Sequence, residues 1–410
     1  MRRTSWTLLV ILLLSLVLSA CTTVQAPAGG AAAGPQTYTL GIALPYTGSL
    51  GSFGTDFRKG VELAVEEMNA QLEAAGSNVR FQTASADTEG TPDGALKAVQ
   101  TVVQTSGAKV VVGPLTTSEV LGAKQFADEN DVVIVAPASS GIPGAIAGDN
   151  IFRVMYPPDT YAARAFAEIA SRRGYQNIVA LVVDDPFGNG LIDLFTQLFQ
   201  EKGGGEVSVV KYAPEPADLS GEASKLSAEV ERLSAAGSTA VFAVAFLGDA
   251  QKLLQQAVTD PNLGSVDWLG IENLVNPDIL ADPAHAEFLA NVGLTSVSFG
   301  DAQNPNTQPF VDAFTAKNGA EPGPFTNYAY DAANIAMLSM LSAGNDGKAV
   351  KSMLPFISNH YIGTAFQAYL DENGDQAIAY YTIFTVNPEG TEFVPIGDYD
   401  GQTDAVTLSE

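Results

Sequence analysis

Two short runs rich in hydroxyls, and one acid far from them along the chain, are the residues best equipped for chemistry. Gly113-Pro114-Leu115-Thr116-Thr117 and Pro137-Ala138-Ser139-Ser140 each follow an apolar run that reads as a strand. Hydroxyls and free backbone N–H groups at such loops can hold a carboxylate without a cation, because several aligned dipoles, reinforced by helix N-termini, share its charge. The same residues also suit helix capping by Thr117, Ser118 or Ser140, and one side chain can do both. Glu272, in Leu269-Gly270-Ile271-Glu272-Asn273, follows another short strand. A carboxylate in a cleft is costly to desolvate unless a cation arrives to pair with it. The alternative is a solvated loop carboxylate.

The inventory for catalysis is thin. Two histidines, His285 and His360, stand in unrelated surroundings, and the sequence contains no HExxH, GxSxG or P-loop. Carboxylates alone can hydrolyse glycosides, so the missing motifs do not exclude an enzyme. Cys21 is the only cysteine, which rules out an internal disulfide and a cysteine-based zinc site. The net charge of -26 is spread along the chain, which disfavours nucleic acid and anionic lipid headgroups as partners and indicates a solvated acidic surface. Gly48 to Gly54 (GSLGSFG) follows the first strand with the spacing GxxGxxG rather than the dinucleotide-binding GxGxxG. It reads as a flexible loop near a ligand.

The elements that must position these residues alternate regularly. Tyr38–Leu44 reads as a strand, and Gly60–Leu72 as a helix with Val61, Ala64, Val65, Met68 and Leu72 on one face. Arg80–Ala84 (strand), Asp93–Thr105 (helix), Lys109–Val112 (strand), Ser118–Glu129 (helix) and Val132–Ala136 (strand) continue the pattern. Such alternation calls for a parallel sheet covered on both faces. Tyr156-Pro157-Pro158 interrupts it, and a second series runs from Thr160 to Leu269, giving two similar units and a cleft between them. Later segments include a strand at Gly293–Val297, helices near Pro309–Lys317 and Tyr328–Leu341, and a β-rich stretch at Tyr380–Val386. They are too few for a third unit and are expected to complete the first two. In open α/β sheets, ligands sit beyond the carboxyl ends of strands.

At the N-terminus, Arg2 and Arg3 precede an apolar run, Leu8 to Leu18, too short for a comfortable membrane span. Residues 1–20 read as a signal peptide. Leu18-Ser19-Ala20-Cys21 resembles the lipobox of bacterial lipoproteins, which implies a diacylated Cys21 thiol and an amine that often takes a third chain. Two or three chains anchor firmly where one is marginal. The alternative is an ordinary secretory signal with an incidental cysteine. Residues 21–36, rich in Ala, Gly, Pro and Thr, then form a flexible linker.

Several segments together resemble the substrate-binding lipoproteins of branched-chain amino acid ABC transporters, the leucine/isoleucine/valine-binding proteins with the type I periplasmic binding protein fold. They are LGIALPYTGSLGSFGTDFRKGVELAVEEMNA, VVVGPLTTSEVLGAKQFADENDVVIVAPASS, VDDPFGNG, FAVAFLGDAQKLLQQA, LGIEN and NYAYDAANI, in the family's order. The resemblance implies an α/β protein of two doubly wound parallel-sheet lobes joined by a multi-strand hinge. Residues 37–157 and 295–368 would form lobe 1, and 158–294 and 369–410 lobe 2. It further implies that the Thr117 hydroxyl, the Ala138 backbone and the Ser140 hydroxyl or N–H, with Ser139 in the same loop, bind a ligand α-carboxylate. Glu272 aligns with the acid that pairs with the α-ammonium. Phe53, Phe187 and Phe246 fall where the family often places Tyr or Trp. Losing those polar groups leaves a drier wall, suited to an apolar side chain, or marks another amino acid or an amide-like ligand. Phe246 also fits a core position, and Tyr330 fits either the cleft or helix packing.

The function so implied is an extracytoplasmic solute-binding lipoprotein that captures an apolar amino acid and delivers it to ABC permease subunits. It would be monomeric, held to the membrane by its lipid, without cofactor or metal. A sensor for amino acids or amides on the same fold, and an exported hydrolase using Glu272 or Asp185, are the alternatives.

Overall fold

The computed structural model describes residues 36–299, 304–365 and 367–409. The signal peptide, Cys21 and the linker as far as residue 35 lie outside the described residues. Among the described residues, no helix is long and apolar enough to cross a membrane.

Five parallel strands form the first sheet, in the order β2-β1-β3-β4-β5: β1 (Gln36–Leu44), β2 (Val79–Asp87), β3 (Val110–Val112), β4 (Val133–Val135) and β5 (Ile151–Phe152). Alternation along β1 sorts its side chains onto two faces. Leu40, Ile42 and Leu44 join the core that holds Val61 and Ala64 of α1 (Gly51–Ala74). Ala43 joins Ala98, Val99 and Val102 of α2 (Pro92–Ser106) and Val120 and Ala123 of α3 (Thr117–Glu129). β3 and β4 are buried on both faces, which explains their unbroken Val/Ile runs, while β2 at the sheet edge is largely polar and half-exposed. Gly113, just past β3, has φ 93° and would place a Cβ 2.0 Å from the Ala43 carbonyl oxygen, so only glycine fits there.

α1 begins earlier than its apolar periodicity suggests. The GSLGSFG segment enters the helix at Gly51, so its second half is not a loop. Gly54 explains this: a Cβ there would lie 1.6 Å from the Pro45 carbonyl oxygen, and without one the helix start packs directly on the backbone leaving β1.

The second sheet has eight strands. β6 (Asn177–Val183), β7 (Val207–Tyr212), β8 (Thr239–Val244), β9 (Asp267–Gly270) and β10 (Thr295–Phe299) are parallel, and β11 (Tyr380–Val386), β12 (Phe393–Asp400) and β13 (Ala405–Leu408) add an antiparallel edge. The order is β13-β12-β11-β10-β9-β8-β6-β7. Its helices are α4 (Asp159–Arg172), α5 (Pro186–Glu201), α6 (Ser220–Ser234), α7 (Leu247–Ala257) and α8 (Pro283–Asn291). β10 pairs with β9 and β11, so residues 295–299 belong to the second sheet and not, as expected, to the first lobe. The chain then returns: α9 (Thr307–Asn318) and α10 (Thr326–Ala343) pack on α1, and α11 (Gly347–Ser358) follows before β11.

Arg153, at the exit of β5, and Asp375, ahead of β11, are joined where the chain passes between the sheets. Arg153 Nε donates to Asp375 Oδ1 at 2.6 Å and Nη2 to Oδ2 at 2.5 Å, both side chains being buried. Nη1 donates to the Gly141 carbonyl at 2.7 Å, tying this pair to the loop after β4.

Candidate functional site

Strand ends of both sheets converge on one cavity. Leu115, Thr116 and Thr117 come from the loop after β3, Ala138, Ser139 and Ser140 from the loop after β4, and Leu50, Phe53 and Phe57 from the start of α1. The second sheet supplies Phe187 at the start of α5, Phe246 at the start of α7, and Glu272 and Asn273 after β9. Tyr156 and Phe325 complete the lining. Water-sized molecules have room for their centres over about 70 Å³. Eight of the nine expected ligand residues therefore meet here: Phe53, Thr117, Ala138, Ser139, Ser140, Phe187, Phe246 and Glu272.

Tyr330 does not. It faces a separate groove with Glu67, Phe310 and Tyr361, where its hydroxyl donates to Glu67 Oε2 at 2.6 Å and its ring packs 5.1 Å from Phe310. On α10 it faces α1 and α9 rather than the strand ends.

The hydroxyl wall is built by local hydrogen bonding. Thr116, not Thr117, caps α3: its Oγ1 accepts from the Glu119 N–H, while Glu119 Oε2 accepts from the Thr116 N–H at 2.8 Å. Thr117 is left to join the two loops, accepting from the Gly141 N–H at 2.9 Å and sharing a 3.2 Å contact with the Ser139 hydroxyl. The Ser140 carbonyl accepts from the Asp159 N–H at 2.9 Å. Asp185 rather than Asp184 caps α5, accepting from the Gly188 N–H at 2.8 Å, which sets Phe187 against the cavity.

Glu272 opens a 3-10 turn, Glu272–Leu274, directly after β9, and its Oε1 accepts from Asn273 Nδ2 at 3.3 Å. Burial pushes its carboxyl above the usual range, opposed by its own backbone N–H and by the neighbouring Tyr156 hydroxyl. A second acid lies behind it. Asp159, the first residue of α4, is buried, and its carboxyl is raised well above the usual range by burial and then by the charge of Glu272. Asp159 Oδ2 and the hydroxyls of Tyr156 and Tyr381 are buried without a well-formed hydrogen bond. Among the described residues, no lysine or arginine lines the cavity.

The rest of the wall is aromatic. Phe187 and Phe246 stack at 5.4 Å, and Phe53 meets Phe57 edge-on at 6.5 Å. Tyr156 sits edge-on to Phe325 at 6.0 Å. Phe325 holds φ 62°, a left-handed value that costs a non-glycine residue energy and tends to mark functional sites. Tyr156 and Asp159 flank the Pro157-Pro158 pair that reads only as a break between units, and Phe325 precedes a helix it does not belong to. Periodicity carries no signal for any of them.

The chain matches the family model described as periplasmic binding protein over residues 37–391. The Leu/Ile/Val-binding protein homolog 3 of Brucella melitensis is 28% identical over 334 residues, covering 80% of this chain and 85% of the relative. The leucine binding protein of Thermotoga maritima superimposes with a TM-score of 0.74 at 22% identity, covering 89% of this chain and 99% of that one. The solute binding protein of R. palustris in complex with benzoate gives a TM-score of 0.73 at 19% identity, covering 91% and 98%.

Proposed function

The chain belongs to the periplasmic binding protein family and has its type I fold, and from that premise we propose that it captures an α-amino acid with an apolar side chain. The observation that carries this reading is the division of the cavity. Uncharged donors from Thr116, Thr117, Ala138, Ser139 and Ser140 stand on the first-sheet side, and the Glu272 carboxylate stands on the second, with hydrocarbon between. A zwitterion fits that polarity end for end. Its carboxylate takes the hydroxyl and N–H groups, its ammonium relieves the desolvation of Glu272 and Asp159, and its side chain lies among phenyl rings. The cavity is small and bounded by residues of both sheets, which suits a small amino acid rather than a peptide.

In this proposal the two sheets with their helices act as lobes that close on the ligand, with Arg153 and Asp375 in the hinge. The loaded chain then docks on an ABC permease, tethered outside the cytoplasm through acylated Cys21. No bond is made or broken by the protein. Conversion of Cys21 to Ser should release the chain from membranes into the soluble fraction.

Titration calorimetry with a panel of amino acids, alongside benzoate, tests the proposal. Saturable heat with leucine-, isoleucine- or valine-like ligands supports it. Binding of benzoate in preference to every amino acid would overturn it, because a bare anion gains nothing from two carboxylates and finds no cation in the wall.

A further inference from the structure

The loop after β7 turns at Glu215 with φ 55°, a left-handed value that a non-glycine residue adopts only at a cost. That turn sends its carboxylate to the loop after β1, on the other sheet. The Ser49 N–H donates to Oε1 at 3.1 Å and to Oε2 at 3.2 Å, and the Ser49 hydroxyl donates to Oε1 at 2.5 Å. Ser49 immediately precedes Leu50, which lines the cavity, and Gly51, where the 24-residue α1 begins. The carboxylate thus meets the Ser49 N–H and hydroxyl two residues ahead of the helix, near the positive end of a long helix dipole.

The receiving loop is braced in turn. Asp87 accepts from the Tyr46 N–H and from the Thr47 hydroxyl, each at 2.8 Å. Gly48 has φ 81°, and a Cβ on it would sit 3.4 Å from Glu215 Oε1, so the approach is close on that side as well. Gly248, two residues past the cavity-lining Phe246, lies on the far side of Ser49, where a Cβ would reach only van der Waals distance at 3.8 Å. One serine of the first sheet's loop is therefore held by a loop of the second, beside the cavity-lining Leu50.

We propose that Glu215 is a positioning residue for ligand retention. It joins the two halves at the rim when they are together, and so slows release of a bound amino acid that it does not touch. This rests on the binding function proposed above.

The test uses the full chain carrying Glu215→Gln, Glu215→Gly, Ser49→Ala and the pair Ser49→Ala/Glu215→Gln. Release of a bound amino acid is followed by stopped flow, and amide exchange is read on the peptide spanning residues 46–53. Losing a charge-assisted bond of this kind should speed release by about three- to thirtyfold in each single variant, with the pair no faster than the faster single. Glu215→Gly relieves the left-handed strain, so it should melt no lower than the parent while still releasing ligand faster. Amides near Ser49 should exchange faster in all Glu215 variants. Unchanged release, or additive effects in the pair, would overturn the proposal. If the parent chain binds no amino acid, the binding function fails, and the exchange data decide this contact alone: unchanged protection near Ser49 in Glu215→Gln removes it.

Discussion

The guanidinium of Arg153 and the carboxylate of Asp375, 222 residues apart in sequence, form a two-pronged pair in which neither side chain reaches solvent. The pair fastens the exit of the first sheet to the segment that returns to the second. Burial raises the Asp375 carboxyl and the Arg153 charge opposes it. Removing one partner strands a charge in the interior, which costs about 3–5 kcal/mol. Asp375→Ala should therefore lower stability by that order in urea unfolding, and Arg153→Met/Asp375→Leu together should lower it less than either single change. A single variant within 1 kcal/mol of the parent (about the level of an exposed pair) would show the pair to be solvated.

Glu272→Gln keeps the shape of the site and removes its charge. If Glu272 holds the ligand ammonium, amino acid affinity should fall by about 2–5 kcal/mol, or roughly 30- to several-thousandfold, as measured by calorimetry. The melting temperature of the unliganded chain should hold or rise, because a buried charge is no longer desolvated.

The same chemistry predicts a pH dependence of binding. Burial raises the Glu272 carboxyl, and burial together with the Glu272 charge raises Asp159. A bound ammonium favours both ionised forms, so ligand lowers these values and binding releases protons. Affinity should be full above the raised values and decline as the pH falls through them, at a pH above the ordinary carboxylate region near about 4. Calorimetry in two buffers of different ionisation enthalpy measures the protons released. An affinity flat from about pH 7 down to about pH 4 would contradict it.

Asp331 gives a stability prediction separate from binding. It is a buried residue of α10, accepting from the Tyr361 hydroxyl at 2.7 Å and from the Thr364 N–H and hydroxyl, each at 2.8 Å. Burial nevertheless pushes it up to about 6. The folded state then binds this proton more tightly than the unfolded chain does. Its contribution is present below the unfolded value near 4 and lost as pH rises through about 6, to the extent of about 3 kcal/mol. Asp331→Asn should flatten that part of the pH–stability curve in urea unfolding, and an unchanged slope would assign it elsewhere.

Much of this molecule is legible in the sequence because its signals are local. Val110–Val112 and Val133–Val135 are apolar throughout since both faces are covered, and the hydroxyl loops follow them directly. Glu272 is readable for the same reason, as an acid two residues past a strand. Tyr156 and Phe325 in the lining, and the buried Asp159 near Glu272, are not readable, because their places depend on how the two sheets meet, which no periodicity records. Tyr330 shows the converse: its neighbours in sequence suggest the cleft, and the rotation of α10 sends it elsewhere. The resemblance puts residues 295–299 with the first unit, and only their pairing with β9 and β11 places them in the second sheet.

The late return of α9 and α10 to α1 carries a consequence for biosynthesis. Phe57, Val61 and Leu63 on α1 are buried, and α1 packs against residues that follow it by more than two hundred positions. A ribosome that has reached residue 299 has therefore produced a first sheet with one helix stripped of its cover, and a second sheet without its antiparallel edge. Neither half can be obtained intact by cutting the gene once, and fragments ending near residue 300 should expose that bare helix surface to aggregation or chaperone capture.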